Sequence, residues 1–494
     1  MNLITGILSK VIGLPEPTLR LLLTLILGYP IAHFYKKLHL SEHAKSTEED
    51  RNQYILLSGL GLNFFFNGFQ IYHSIITVLV SYALCLILGE HLRNRLWAAT
   101  GVWVFNALYL LGGYYYMETD EYDITWTMTQ CILCLRMMGF GFDYYDGRKT
   151  VTVAGPPSKE QPDNKAAIRE TELAKRPSAL PLSFMADTPL VQLPSLQHLA
   201  AYVFFPAAFV VGPQFSFSLY RKWLKNEDSD VDHEEKQRAQ KAHIVRSVLL
   251  AILYLGLQQV IGSQYSTAYL LTEEYQSMCL IKRAFFFCLA GKFAFNKYIG
   301  IWLLTEGAIT SFGISYDGQD AEGLARFGGL ANTDPVRFET ATSIDHVISA
   351  FNINTNLWSK YYVFKRLKFL NNKTASQFGT LAFLAIWHGF HSIYFTTFLL
   401  EFLFVLCEGV LGKRLSPLVK QHTRKNEIYC YLWKFVTWIT CQATCAYGIV
   451  GFELLKMGRA YTAYKSVWFV GHIAMVVILV GDKYLVKVSH TKKK

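Results

Sequence analysis

The chain has 494 residues, of which 52% are hydrophobic and only 17% charged, and its formal net charge is +11. Soluble domains hold about a quarter charged residues. Composition therefore excludes the ordinary soluble classes and indicates a single membrane-embedded domain over 1–494, crossed many times by the chain. The positive balance suits an anionic cosubstrate or anionic headgroups; basic loops that only set orientation account for the same charge, and no nucleic-acid module is recognisable.

Met1–Gly13 lacks a basic start and a small-residue cleavage site, so no cleaved leader is expected. Apolar runs predict spans at Leu19–Phe34, Tyr54–Tyr72, Ser74–Leu88, Trp97–Tyr116 and Ile124–Phe142, the last two separated by Glu118, Asp120, Glu121 and Asp123. Among nine cysteines only Cys131 and Cys134 have a metal-type spacing, and no second pair or neighbouring His completes it, so no metal is expected. Arg148–Ser195, rich in Pro, Lys and Glu, has no sustained apolar period and predicts a mobile loop, its Ser183–Leu193 end apolar enough for the membrane interface. Pro206, Gly212 and Pro213 break the apolar His198–Leu219, which predicts a kinked or re-entrant segment. Arg221–Lys241 is densely charged and predicts a solvated helix.

Further spans are expected at Ile244–Ile261, Met278–Ala294 and Tyr298–Phe312, followed by the polar, glycine-rich Gly313–Ala341. Beyond the central stretch, Ile428–Leu455 and Trp468–Val480 complete an all-α, polytopic transmembrane bundle of about ten or eleven spans without internal repeat. Loop charge does not settle its orientation, since 148–195 and 221–241 are both basic yet flank one apolar segment. Thr491-Lys492-Lys493-Lys494 is an incomplete dilysine retrieval signal.

Phe351–Phe395 concentrates the chemistry. It opens with Phe351-Asn352-Ile353-Asn354-Thr355-Asn356-Leu357-Trp358, passes a basic patch at Lys360, Lys365, Arg366 and Lys368, and enters an apolar run carrying Trp387-His388-Gly389-Phe390-His391. Phe378–Cys407 has no charge before Glu401 and is expected to form one membrane helix. His388 lies ten residues past Phe378, about 15 Å along that helix and near the midplane. An ionisable group at that depth marks function or is satisfied by a neighbour's carbonyl or hydroxyl. His391, one turn on along the same expected helix face, is an alternative base or an orienting partner. Asn352 is the candidate partner of His388, or a turn residue like its neighbours Asn354 and Asn356. Lys360, Lys365 and Arg366 either mark the interface or hold phosphates.

Two of these patterns resemble motifs of the membrane-bound O-acyltransferase family. The first is Glu339, eleven residues, Phe351-Asn352, then Thr355 and Trp358; the second is Trp387-His388-Gly389 with Tyr394. Phe351 stands where that family usually has Trp, and Ile393 where it usually has Gly. Leu135-Arg136 through Asp146-Gly147, and Gly212-Pro213 through Phe217 with Tyr220, are similar to signatures of its lysophospholipid branch. The resemblance implies a buried catalytic chamber in which His388 and Asn352 act on acyl-CoA and a lysophospholipid, with phosphatidylcholine-type headgroups ahead of serine, ethanolamine or inositol. Glu339, Trp358, Trp387 and His391 are then supporting candidates, and Lys360, Lys365, Arg366, Tyr220 and Asp146 substrate-binding ones. It also implies an endoplasmic-reticulum membrane, no cofactor beyond acyl-CoA as cosubstrate, and leaves a homodimer open.

Acyl transfer from a thioester to a hydroxyl needs a base, a donor for the developing oxyanion, and exclusion of water. A histidine removed from water stays neutral and accepts a proton, and an asparagine amide donates. No Ser or Cys beside His388 forms a nucleophile motif, so direct transfer is expected. A transporter is the rival class, but paired broken helices in two repeats are not seen. A protein O-acyltransferase is the rival within the family, and the Asp146-Gly147 and Gly212-Pro213 signatures oppose it.

Overall fold

The computed structural model describes residues 2–41, 44–117, 119, 124–148, 188–225, 233–423 and 427–491. The expectations for the Glu118–Asp123 acidic group, for most of the 148–195 loop, for 226–232 within the charged stretch and for the Lys492–Lys494 tail fall wholly or largely outside those residues. Among the described residues the chain is all-helical, without a strand, and only two isolated bridges occur, Gln319 with Ala325 and Thr333 with Phe351.

The longer helices are α1 (Glu16–His39), α2 (Glu48–Asn67), α3 (Ile71–Leu84), α4 (Arg95–Met117), α5 (Trp126–Asp146), α6 (His233–Leu257) and α7 (Leu280–Phe312). After the short α8 (Ile353–Ser359) come α9 (Lys373–His388), α10 (Ser392–Thr423), α11 (Glu427–Leu454), α12 (Met457–Ser466) and α13 (Val470–Thr491). Among the described residues six helical stretches are long and apolar enough to cross a membrane, seven if the bent pair α12–α13, turned by 80°, is one span. The chain is thus a multi-pass membrane protein.

The expected ten or eleven spans are not matched one for one, for three physical reasons. Tyr54–Tyr72 and Ser74–Leu88 belong to one helical run, Glu48–His91; its 44 residues are about 66 Å long, twice a hydrocarbon core. Gly68, at φ 58°, punctuates it near the middle. Met278–Ala294 and Tyr298–Phe312 are likewise one helix, α7, whose internal charges keep it off the apolar count. Three of those charges are paired: Lys292 with Glu339 and Lys297 with Glu453, in partly exposed pairs, and the buried Glu306 with His243.

The third reason lies at 196–225, where the break expected from Pro206, Gly212 and Pro213 is found and no span forms. The segment is two short helices, Leu196–Val203 and Phe217–Lys225, joined by irregular backbone that is buried rather than spanning. Buried backbone must find partners within the protein. Arg136 on α5, 1% exposed, supplies them: its guanidinium donates to the carbonyls of Tyr202, Val203, Ala208 and Pro213 at 2.8–3.2 Å. Arg136, which interrupts an apolar run in the sequence, is therefore the clamp for the broken segment. The charged 221–241 stretch is not a single solvated helix either, since Leu224 and Gln240 are buried.

Candidate active site

The central stretch does not form one helix from Phe378 to Cys407. α9 stops at His388, Gly389 takes φ 124° and ψ −168°, and α10 begins at Ser392. That conformation is open essentially to glycine alone. His388 is therefore the last residue of a helix, and His391 lies in the turn, not one turn along a common face.

Trp387 fixes this helix end. Its indole Nε1 donates to the Cys131 carbonyl at 3.1 Å, and its own carbonyl accepts from the Tyr114 hydroxyl at 3.0 Å. α9 is thereby pinned to α5 and α4. The His388 ring packs against Phe452, Tyr394 and Phe398 with centroids 5.1–5.5 Å apart. No hydrogen-bond partner holds either ring nitrogen among the described residues. The imidazole is not the satisfied structural histidine that its burial alone permits.

Three asparagines beside it have different tasks. Asn354 Nδ2 donates to the carbonyls of Leu330 and Ala331, and Asn356 Nδ2 to those of Ile348 and Phe351, all at 2.9–3.2 Å. Both tie down the turn that opens α8. Asn352 caps that helix without a side-chain cap bond, at φ 51° and ψ 43°, a left-handed conformation that Asn tolerates better than most residues. Its Oδ1 accepts from Asn332 Nδ2 at 3.3 Å, and its own Nδ2 has no partner among the described residues.

Asn352 and His388 line one cavity of about 240 Å³ whose wall is mostly apolar and aromatic. Phe351, in the place of the usual Trp, forms part of that wall and packs on Trp302 and Phe295 with centroids 4.8 and 5.1 Å apart. Ile393, in the place of the usual Gly, is buried in an apolar cluster with Tyr394 and Val450. The arrangement presents an unengaged base and an unengaged amide donor to an apolar-walled cavity, which is what proton abstraction and oxyanion stabilisation require.

The other candidates, Trp387 excepted, lie elsewhere. Trp387 lines the cavity, but Trp358 is buried behind it between Trp103, Phe383 and Tyr362. Glu339 accepts from the Tyr254 hydroxyl at 2.9 Å and pairs with Lys292; the neighbouring Phe338 packs on Phe351 and Phe295, so Glu339 supports the wall from outside. Arg366 is bound to Asp146 at 2.7 Å and lies over the Phe142 ring, and Lys365 lies over Tyr361. Tyr220 donates to Asn52 Oδ1 at 2.7 Å in a separate core. Neither these residues nor Lys360 and His391 are among those that line the cavity.

Sequence reasoning missed two lining residues, Thr397 and Glu401, one turn apart on α10. The Thr397 hydroxyl is buried without a hydrogen-bond partner among the described residues. Glu401 stands in the sequence as the first charge of an apolar run, and an acid inside a membrane segment is the signal that could have found it.

Fold and cavity together define a membrane-embedded helical protein with a histidine–asparagine pair in an apolar chamber. The model of the membrane-bound O-acyltransferase family matches residues 111–448, and the chain belongs to that family. It is 36% identical over 481 residues to lysophospholipid acyltransferase 5 of Drosophila melanogaster, covering 96% of this chain and 88% of that one. The human protein of the same name is 32% identical over 493 residues, covering 98% and 92%. A lysophospholipid acyltransferase of Schizosaccharomyces pombe is 24% identical over 486 residues, covering 95% and 87%.

Proposed function

We propose that the chain transfers a fatty acyl group, of polyunsaturated type, from acyl-CoA to the sn-2 hydroxyl of a lysophospholipid in the endoplasmic-reticulum membrane. Lysophosphatidylcholine is the main acceptor in this reading, with the serine, ethanolamine and inositol lysolipids as rivals. The observation that carries it is the His388 imidazole, free of partners among the described residues, in one cavity with the unpartnered Nδ2 of Asn352. The names of the full-length relatives support the same reaction class.

In the proposed step His388 takes the proton of the acceptor hydroxyl as its oxygen attacks the thioester carbonyl carbon. Asn352 Nδ2 donates to the oxyanion, the carbon–sulfur bond breaks, and the proton passes from the imidazolium to the departing thiolate. The apolar wall keeps out water that would otherwise hydrolyse the thioester. The test is acyl transfer by the purified protein in lipid nanodiscs, with labelled acyl-CoA and a panel of lysolipids. His388→Ala is expected to abolish transfer while the protein elutes as a monodisperse species; full activity in that variant refutes the mechanism.

A further inference from the structure

The cavity that holds His388 carries one acidic side chain the acyl-transfer step does not use. Glu401 lines it, has no hydrogen-bond or ion-pair partner among the described residues, and has the unsatisfied Thr397 hydroxyl one turn away. A carboxylate in apolar surroundings is costly unless a cation meets it. The nearby lysines of α7 are not available for that, since Lys292 is engaged by Glu339 and Lys297 by Glu453. A cation that pairs with Glu401 therefore has to arrive with a ligand.

The chemistry of the two substrates decides which ligand. An acyl tail is neutral and gains nothing from a carboxylate, and the phosphates of coenzyme A are repelled by one. An acceptor lipid with an ammonium headgroup is the substrate that brings a positive charge. The rest of the wall fits the same group: Tyr298, Trp302, Phe398, Phe404 and Phe452 line the cavity with Glu401, and aromatic faces attract quaternary and primary ammonium ions. Reach is also consistent. The Phe398 ring packs on His388, with centroids 5.5 Å apart, and Glu401 lies three residues further on the same helix, one turn away. A glycerophosphoryl linker between the reacting hydroxyl and the ammonium bridges that interval.

We propose that Glu401 is the specificity-determining residue that receives the ammonium headgroup of the acceptor within this aromatic wall. The assignment rests on the acyl-transfer function proposed above and names the acceptor class it selects: choline and ethanolamine lysolipids over inositol or glycerol ones.

The test compares kcat/KM for lysophosphatidylcholine and lysophosphatidylinositol of the same acyl chain, at fixed acyl-CoA, in nanodiscs. In Glu401→Gln the choline-to-inositol ratio is expected to fall about tenfold, equivalent to about 1.4 kcal/mol, through a raised KM for the choline acceptor. Glu401→Lys is expected to lower it further. An unchanged ratio, or an equal loss with both acceptors, overturns the assignment. A second measurement needs no variant: hexadecylphosphocholine, which has no acceptor hydroxyl, is expected to compete with the lysolipid about tenfold more tightly than hexadecyl phosphate, and equal competition overturns it too. A wild-type protein that acylates neither acceptor overturns the parent function, whereas an active one with an unaltered ratio overturns only the role of Glu401.

Discussion

Replacing Asn352 separates catalysis from local folding, because its side chain and its backbone make distinct contributions. The side chain offers one amide donor to the cavity and accepts one long bond, 3.3 Å, from Asn332. The backbone holds a left-handed φ of 51°. Loss of one oxyanion donor costs about 3 kcal/mol, roughly a hundredfold in kcat. Loss of the Asn332 bond costs about 0.5 kcal/mol, at the low end for a hydrogen bond because it is long. An alanine in the left-handed region adds about 1 kcal/mol of strain that a glycine does not. Asn352→Gly is therefore expected to lower kcat about a hundredfold with little change in melting temperature. Asn352→Ala should show the same kcat and a lower melting temperature. The assay is initial-rate acyl transfer at saturating acyl-CoA and acceptor, beside a thermal melt of the same preparation. Retention of more than a tenth of kcat in Asn352→Gly, or a change confined to KM, refutes the oxyanion role.

The turn position of His391 predicts a contrast with its neighbour: His391→Ala should keep at least a tenth of wild-type turnover where His388→Ala keeps none, and the reverse pattern in the initial-rate assay would move the base. Direct transfer predicts that labelled acyl-CoA without acceptor leaves no hydroxylamine-sensitive label on the denatured protein. Double-reciprocal plots should intersect, and a stoichiometric label or parallel lines would establish a covalent intermediate.

The two halves of the site differ in how far the sequence reveals them. His388 and Asn352 are legible because each sits in a spaced motif, and an ionisable group in an apolar run is conspicuous without any structure. The break after His388 is not, because Phe390 and Ile393 continue the hydrophobic pattern and a single Gly389 is compatible with an intact helix. Span number fails for a related reason. α7 reads as two segments because Asn296 and Lys297 interrupt it, and the partners of its lysines Lys292 and Lys297, Glu339 and Glu453, are 47 and 156 residues away. Pairings over such distances leave no local trace. Tyr220 and Asp146 show the converse: their signatures point to a lineage, but a buried bond to Asn52 and an ion pair with Arg366 are reasons of packing.

The end of α9 at His388 does more than orient the ring. Carbonyls of a helix's last turn lack intrahelical partners and carry partial negative charge, which favours a cation placed there. In the proposed step the imidazolium formed as His388 takes the acceptor proton is such a cation, so the break would stabilise the charged stage of that step. Gly389 is the residue that permits it. A Cβ at Gly389 would meet Tyr114 and Tyr394 at 3.6–3.7 Å, ordinary contact, so space is not the obstacle; φ 124° with ψ −168° is. An alanine there costs about 1–3 kcal/mol if the turn is kept, and the chain relieves that strain by extending α9 into 389–391 and rotating His388 away from Asn352. Gly389→Ala is thus expected to lower kcat at least tenfold with a smaller effect on KM. Gly409→Ala, on α10 where an added Cβ meets nothing within 4 Å, should leave both unchanged. Measured in the same nanodisc assay, wild-type kcat in Gly389→Ala would show that the helix end does not set the base.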